Sequence, residues 1–122
     1  MAKTTSHREL DVWCKGIELA IAARALARRF PREERFRLED QLCRSARSVP
    51  ANIAEGFGRF TIPQFRKYLG YALGEAAEVD THIEIAIRSS FCAEDEARPL
   101  QQAYAELGWM IRRLKSSIPG RG

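Results

Sequence analysis

Apolar residues recur at three- and four-residue steps in four stretches of this 122-residue chain. That spacing places side chains on one face of an α-helix, so each stretch predicts a helix. The predicted helices span about residues 9–30, 34–58, 62–89 and 94–117. Four helices joined by short polar connections are typical of an antiparallel, up-down-up-down four-helix bundle. The sequence therefore predicts an all-α fold in which residues 1–122 form a single domain.

The third and fourth predicted helices have the most regular apolar stripes. Thr61 is placed to cap the third helix, with Gln64 as its capping-box partner and Pro63 in the first turn, where proline is tolerated. This helix is predicted to be the longest. The stripe of the third helix consists of Phe65, Leu69, Ala72, Leu73, Ala76, Val79, Ile83, Ala86 and Ile87, and that of the fourth of Leu100, Ala103, Tyr104, Leu107, Met110, Ile111, Leu114 and Ile118.

Pro50 lies inside the second predicted helix. Proline donates no backbone hydrogen bond and its ring crowds the preceding turn. This predicts either a kinked but continuous helix or a break near Ser48. The side-chain amide of Asn52 follows at once, where it can satisfy backbone groups exposed at such a kink.

The second helix ends in a group of polar residues and glycines. Glu55 and Arg59 stand in the favoured order for an ion pair between positions i and i+4 of a helix. Gly56 permits either a tight exit from the helix or a close approach of another helix. Two interpretations remain open for the cluster of Ser48, Pro50, Asn52, Glu55, Gly56 and Arg59. It is either a kinked helix with a satisfied polar cluster, or a ligand pocket built on Asn52, Glu55 and Arg59.

The first predicted helix has two apolar sides. Leu10, Trp13, Cys14, Ile17 and Ile21 form one stripe, and Val12, Leu19, Ala23, Leu26 and Phe30 form a nearly opposite one. A helix of so small a bundle needs one buried face, so the second stripe favours contact with another copy of the chain. The alternative is a surface diluted by alanine. The predicted oligomer interface comprises Val12, Leu19, Ala23 and Leu26, with Tyr68 and Tyr71 of the third helix as further candidates.

Composition limits the class of protein. With 45% hydrophobic and 30% charged residues, the chain is too apolar for intrinsic disorder and too charged for a membrane protein. The first residues lack the apolar centre of a secretion signal, so we expect a cytoplasmic protein with no membrane partner. Cys14, Cys43 and Cys92 are odd in number and far apart, which predicts small buried hydrophobic residues in a reducing compartment, with no disulfide framework or zinc site.

Charge is unevenly distributed along the chain, whose formal net charge is +4. Residues 44–67 contain five basic residues and one acidic residue, whereas residues 75–98 contain two basic and seven acidic residues. A ring of such subunits would carry a basic rim able to hold phosphates. Segregated charge also arises where opposite faces of neighbouring subunits meet, so that alternative stays open. The residues predicted to bind nucleic acid are Arg44, Arg47, Arg59, Arg66, Lys67, Arg112, Arg113 and Lys115.

Residues of the kind that enzymes use are present but not in a recognisable arrangement. Glu78 and His82 do not have the Glu-x-x-His spacing of di-iron bundles, and no second copy of the pair exists. Gly56 and Gly58 follow a helix rather than a strand, which makes them a weak match to a phosphate-binding loop. We therefore expect a protein that is not an enzyme and that needs no metal or cofactor.

A signature in residues 48–59, S-V-P-A-N-I-A-E-G-F-G-R, is long enough to be specific. Together with Phe30, Pro31, Glu34, Leu38, Gln41 and Arg44, it resembles the signature of the four-helix-bundle family named after proteins encoded in intervening sequences of 23S ribosomal RNA genes. The resemblance covers roughly residues 8–117. This chain departs from the family pattern at Glu75, where the family usually has serine after a glycine of the third helix.

The resemblance implies a left-handed four-helix bundle that assembles as a pentamer around a central channel. A related branch, the accessory variability proteins of diversity-generating retroelements, forms a basic pentameric barrel that binds a reverse transcriptase and nucleic acid. This implies, by analogy, a role in nucleic-acid binding or as an RNA–protein scaffold.

Two hypotheses about function follow. In the first, the chain is a non-enzymatic, homo-oligomeric accessory protein that binds RNA or DNA through a basic rim or channel. In the second, it is an oligomeric scaffold that docks a protein partner without binding nucleic acid.

Overall fold

The structure, a computed structural model, describes residues 5–118, and these residues form four α-helices and no strand. The helices are α1 (Asp11–Ala27), α2 (Leu38–Gly58), α3 (Ile62–Arg88) and α4 (Glu94–Ser117). Two short 3-10 helices, His7–Glu9 and Arg32–Glu34, lie before α1 and before α2. The predicted all-α fold with four helices is confirmed.

The ends of the first two helices differ from the prediction. α1 stops at Ala27 rather than near residue 30, and α2 begins at Leu38 rather than near residue 34. The basic and acidic residues between them form the turn Arg32–Glu34, and the carboxylate of Glu34 accepts a hydrogen bond from the backbone N–H of Leu38 at 3.3 Å. The Glu34 side chain thus satisfies a free donor at the start of α2, which fixes where the helix begins.

All four helices contribute to one apolar core. α2 packs on α1 and α3, and α4 packs on α3 and α1. The stripes predicted on α3 and α4 face this core, because their residues are buried or half-buried. Those from α3 that are buried are Leu69, Ala72, Ala76, Val79, Ile83 and Ala86, and those from α4 are Leu100, Tyr104, Leu107 and Ile111. Within residues 5–118, no helix is long and apolar enough to cross a membrane.

The core face of α1 is the stripe that we assigned to a second subunit. Val12, Leu19, Ala23 and Leu26 are at most 7% exposed and pack in the core of the same chain. Their prediction as an oligomer interface is therefore wrong. Of the opposite stripe, Ile21 is 67% exposed, Cys14 is exposed, and Trp13 and Ile17 are half-buried. The apolar surface that remains on α1 for another molecule is therefore the stripe that contains Trp13, Ile17 and Ile21.

α2 continues through Pro50 without a break. Of the two predicted alternatives, a continuous helix and a break near Ser48, the structure shows the continuous helix. The amide of Asn52 donates to the carbonyl of Ser48 at 2.8 Å, and the hydroxyl of Ser48 donates to the carbonyl of Arg44 at 2.9 Å. Polar side chains thus bond to the backbone around the position where proline removes a donor.

Gly56 is buried and allows α3 to approach α2 closely. A Cβ atom at this position would lie 2.6 Å from the Cβ of Tyr68 and 3.3 Å from Cδ1 of Phe65. Of the two roles considered for Gly56, the structure supports the close approach. Thr61 is the N-cap residue of α3, as predicted, but its side chain makes no capping hydrogen bond, so the predicted capping box with Gln64 is wrong.

A network of charged side chains joins the end of α3 to the start of α4. Glu84 accepts hydrogen bonds from Arg98 at 2.6 Å, Arg88 at 2.8 Å and Gln101 at 3.0 Å. Arg98 also pairs with Glu94 at 2.9 Å. These donors lower the pKa of Glu84 from its ordinary 4.5 to about 2, with the hydrogen bond from Arg98 as the largest cause.

This network predicts a specific loss of stability in acid. Because the pKa of Glu84 is lower in the folded protein, its contribution is complete above about pH 4.5 and disappears as the pH falls towards about 2. Urea unfolding at a series of pH values should show the native protein losing stability across this window more steeply than Glu84→Gln. Glu106→Gln, an exposed carboxylate of α4 outside the network, is the control and should follow the native protein. Parallel curves for all three proteins would contradict the assignment.

Candidate nucleic-acid interface

Six of the eight basic residues predicted to bind nucleic acid lie at helix ends that meet. Arg59 is the C-terminal cap of α2, Arg66 and Lys67 lie near the start of α3, and Arg112, Arg113 and Lys115 lie in the last turns of α4. We call these six residues the basic end. Residues so far apart in sequence come together because the start of α3 lies beside the end of α4.

Hydrogen bonds fix the arrangement of the basic end. The guanidinium of Arg59 donates to the carboxylate of Glu55 at 3.0 Å and to the hydroxyl of Tyr68 at 3.0 Å. The predicted pair of Glu55 and Arg59 is therefore present. Arg66 donates to the backbone carbonyl of Lys115, one of the carbonyls that a helix end leaves free. Arg66 thus orients the end of α4, and one donor of its guanidinium is occupied by this hydrogen bond.

Aromatic rings lie among these basic side chains. Tyr68 and Tyr71 contact each other edge to face with centroids 5.2 Å apart, and the ammonium of Lys67 lies 5.9 Å from the ring of Tyr71. Phe60, between α2 and α3, is 92% exposed and has a φ of 63°, an unusual conformation for a bulky residue. Trp109 lies beside Arg112 and Arg113 in the same surface depression and is 65% exposed. Exposed rings next to cations are the combination that binds single-stranded nucleic acid.

Arg44 and Arg47 do not belong to this group. At about 1.5 Å per residue they lie about 22 and 18 Å along α2 from Arg59. Arg47 lines a shallow apolar groove between α1 and α2, and Arg44 lines a polar cavity between α2 and α3. The structure therefore brings six of the eight predicted residues together in the basic end and places Arg44 and Arg47 apart from them.

Apart from Arg44 and Ser48, the residues of the polar cavity were not assigned to any site from the sequence. The cavity has a volume of about 330 Å³, and its lining is Gln41, Arg44, Ser45, Ser48, Glu75, Glu78 and His82. The sequence contains a signal for this cavity, because two predicted helices each carry a stripe of polar residues at helical spacing. The first stripe consists of residues 41, 45 and 48, and the second of residues 75, 78 and 82. Burial raises the pKa of Glu75, as do the charge and hydrogen bond of Glu78.

The prediction that the three cysteines are buried is wrong for Cys14, whereas Cys43 and Cys92 pack against the core without being fully buried. All three are free, with Cys14 exposed and Cys43 and Cys92 half-buried. Burial raises the pKa of the Cys43 and Cys92 thiols, which disfavours the reactive thiolate. Among residues 5–118, no three His, Cys, Asp or Glu side chains are placed to hold a metal ion together.

Comparison with known proteins identifies the relatives of this chain. Residues 8–113 match the family model described as 23S rRNA-intervening sequence protein. The chain belongs to this family. The residues that match the 23S rRNA-intervening sequence family include the stretch of α2 that contains Pro50, Asn52 and Gly56. Among curated proteins, none is significantly similar to the chain.

A solved structure supports the fold of this 23S rRNA-intervening sequence family member. It is a crystal structure of a protein of unknown function from the S23 ribosomal protein family of Bacteroides thetaiotaomicron. The TM-score is 0.80 at 24% sequence identity, and the match covers 87% of this chain and 96% of that one. At this identity, the likeness extends to the fold alone.

Proposed function

We propose that this protein is a non-enzymatic, homo-oligomeric accessory protein that binds RNA or DNA through its basic end. The observation that carries the proposal is the meeting of six basic residues from three helix ends, with exposed rings among them. Arg112 and Arg113 are exposed and form none of the ion pairs within residues 5–118, so their charges are available to phosphates. Such contacts provide affinity for any sequence, since phosphates carry no sequence information.

An oligomer with an antiparallel arrangement of helices is part of the proposal. The contacts of Arg66 with Lys115 and of Arg98 with Glu84 support opposite directions for α3 and α4. The remaining apolar stripe of α1, with Ile21 67% exposed, supports a contact between copies. A pentamer, as the family resemblance implies, would repeat the basic end around the ring and multiply the field that attracts phosphates. The expected compartment is the cytoplasm.

Reversing two charges tests the nucleic-acid interface. Anisotropy of labelled single-stranded RNA and DNA should show binding that weakens steeply between about 50 and 200 mM salt. The double variant Arg112→Glu, Arg113→Glu should lose about tenfold or more in affinity, and the salt slope should fall by about 2, or about 1 for each contact removed. Arg28→Glu, Arg32→Glu changes the net charge equally at exposed residues away from the basic end, and it should retain most of the affinity.

Equal losses in both double variants would contradict the basic end as the interface. If the native protein leaves labelled RNA and DNA free at the lower salt concentration, nucleic-acid binding itself is contradicted. Salt-insensitive capture of a protein partner under those conditions would instead support the scaffold hypothesis.

A further inference from the structure

The polar cavity between α2 and α3 lies beside the apolar contact of these two helices. The contact between α2 and α3 is the most extensive between any two helices of residues 5–118. Beside that apolar contact, one stripe of each helix is polar, and the two stripes line a cavity of about 330 Å³. Gln41, Arg44 and Glu78 are exposed at its edge, whereas Ser45, the polar residue that is buried within residues 5–118, is only 5% exposed. The polar groups of the cavity are therefore open to a ligand from solution.

The charged groups of this cavity do not neutralise one another by direct contact. The ion pairs formed within residues 5–118 include none of Arg44, Glu75 and Glu78. Glu75 and Glu78 instead lie side by side on α3. Burial raises the pKa of Glu75, as do the charge and the hydrogen bond of Glu78, and the charge of Arg44 opposes this. His82 lies on the same side of the cavity. The two carboxylates of the α3 side thus have no basic partner among the ion pairs of residues 5–118.

The α2 side has the opposite requirement. Arg44 brings a guanidinium, and Gln41 brings an amide that can donate. The hydroxyl of Ser48 already donates to the carbonyl of Arg44, which leaves the Ser45 hydroxyl as the available donor of the two serines. A guanidinium with a neighbouring hydroxyl is suited to a carboxylate.

We propose that this cavity is a binding site for a free α-amino acid, with the ligand carboxylate on Arg44 and Ser45 and the ligand ammonium on Glu75 and Glu78. A zwitterion satisfies both sides at once, whereas a simple amine or a simple acid satisfies one. The size agrees, since about 330 Å³ corresponds to roughly eleven waters at about 30 Å³ each, close to the atom count of a small or medium amino acid. The site is separate from the basic end and does not depend on nucleic-acid binding.

The histidines of the chain supply a direct test. Only His7 and His82 are present, and only His82 lines the cavity. Each of the common L-amino acids is added in turn to the full chain while the imidazole proton resonances are followed by NMR. At least one amino acid should shift the His82 signals in a saturable manner and leave those of His7 unchanged. Its N-acetyl and carboxamide derivatives, which each lack one of the two charges, should bind about tenfold more weakly or worse.

Matched variants locate the site. Arg44→Met and Glu78→Gln should each weaken binding of that amino acid by about tenfold or more, because each removes a charged partner. Arg47→Met lies one turn from Arg44 outside the cavity and should leave affinity unchanged. Circular dichroism should be used to check that each variant is folded. The proposal is overturned if none of the amino acids moves the His82 signals, if the N-acetyl or carboxamide form binds as well, or if Arg47→Met weakens binding equally.

Discussion

Gly56→Ala should destabilise the folded protein by about 1–3 kcal/mol, although alanine is the better helix former. The new methyl group would lie 2.6 Å from the Cβ of Tyr68, an atom attached directly to the backbone of α3. A flexible side-chain end could swing away from it, whereas this contact forces α2 and α3 apart. This separation of the helices would also disturb the hydrogen bond between Tyr68 and Arg59.

Gly58→Ala is the matched control, two residues later on the same helix. A Cβ atom there would meet nothing within 4 Å. Since only the helix preference changes, this variant should be as stable as the native protein or up to about 1 kcal/mol more stable. Urea unfolding followed by circular dichroism measures both free energies. A Gly56→Ala protein as stable as Gly58→Ala would show that the close approach does not constrain α2 and α3.

Leu19→Ala should reduce the free energy of unfolding by about 2–4 kcal/mol, because it leaves a cavity in the core. Leu19 is 7% exposed, whereas Ile21, two residues later on α1, is 67% exposed. Ile21→Ala should therefore change the stability of an isolated subunit by no more than about 0.5 kcal/mol. The pair of variants distinguishes the inner stripe of α1, which contains Leu19 and faces the core, from the outer stripe, which contains Ile21.

Protein concentration separates folding from assembly in the same experiment. If the outer stripe of α1 contacts another copy, Ile21→Ala should weaken association in sedimentation experiments, and any loss of stability should depend on concentration. The loss in Leu19→Ala should be present at every concentration. Similar, concentration-independent losses in both variants would contradict the assignment of the two stripes.

The sequence was sufficient to predict the buried faces of α3 and α4. Each of these helices has one apolar stripe, so the helical period of the apolar residues alone decides which side is buried. Helix α1 has large apolar residues on both sides, such as Trp13 and Leu19, so periodicity could not choose between them. The choice depends on how α1 sits against α2 and α4, which is a property of the whole fold. The start of α2 was misplaced for a local reason, since the residues before Leu38 are charged and suit a helix or a turn equally.

The site was less predictable than the fold. Arg66 and Lys115 are far apart in sequence, and only the packing of α3 on α4 brings them into contact. Charge counts along the chain therefore grouped Arg44 and Arg47 with Arg59, although the helix separates them. The cavity at Glu75 and His82 had a readable signal in its polar stripes, but spacing alone does not reveal that two such stripes face each other.

The two ends of the molecule carry unequal charge. At the end that holds the Glu84 network, residues 28–40 and 84–98 contain seven basic and eight acidic residues, so their charges nearly cancel, whereas Arg112 and Arg113 at the other end form none of the ion pairs within residues 5–118. A distant polyanion would therefore exert a torque on the molecule and turn its basic end forward before contact. Because the Debye length is about 10 Å at 0.1 M salt, this preorientation would act over long range only in dilute salt.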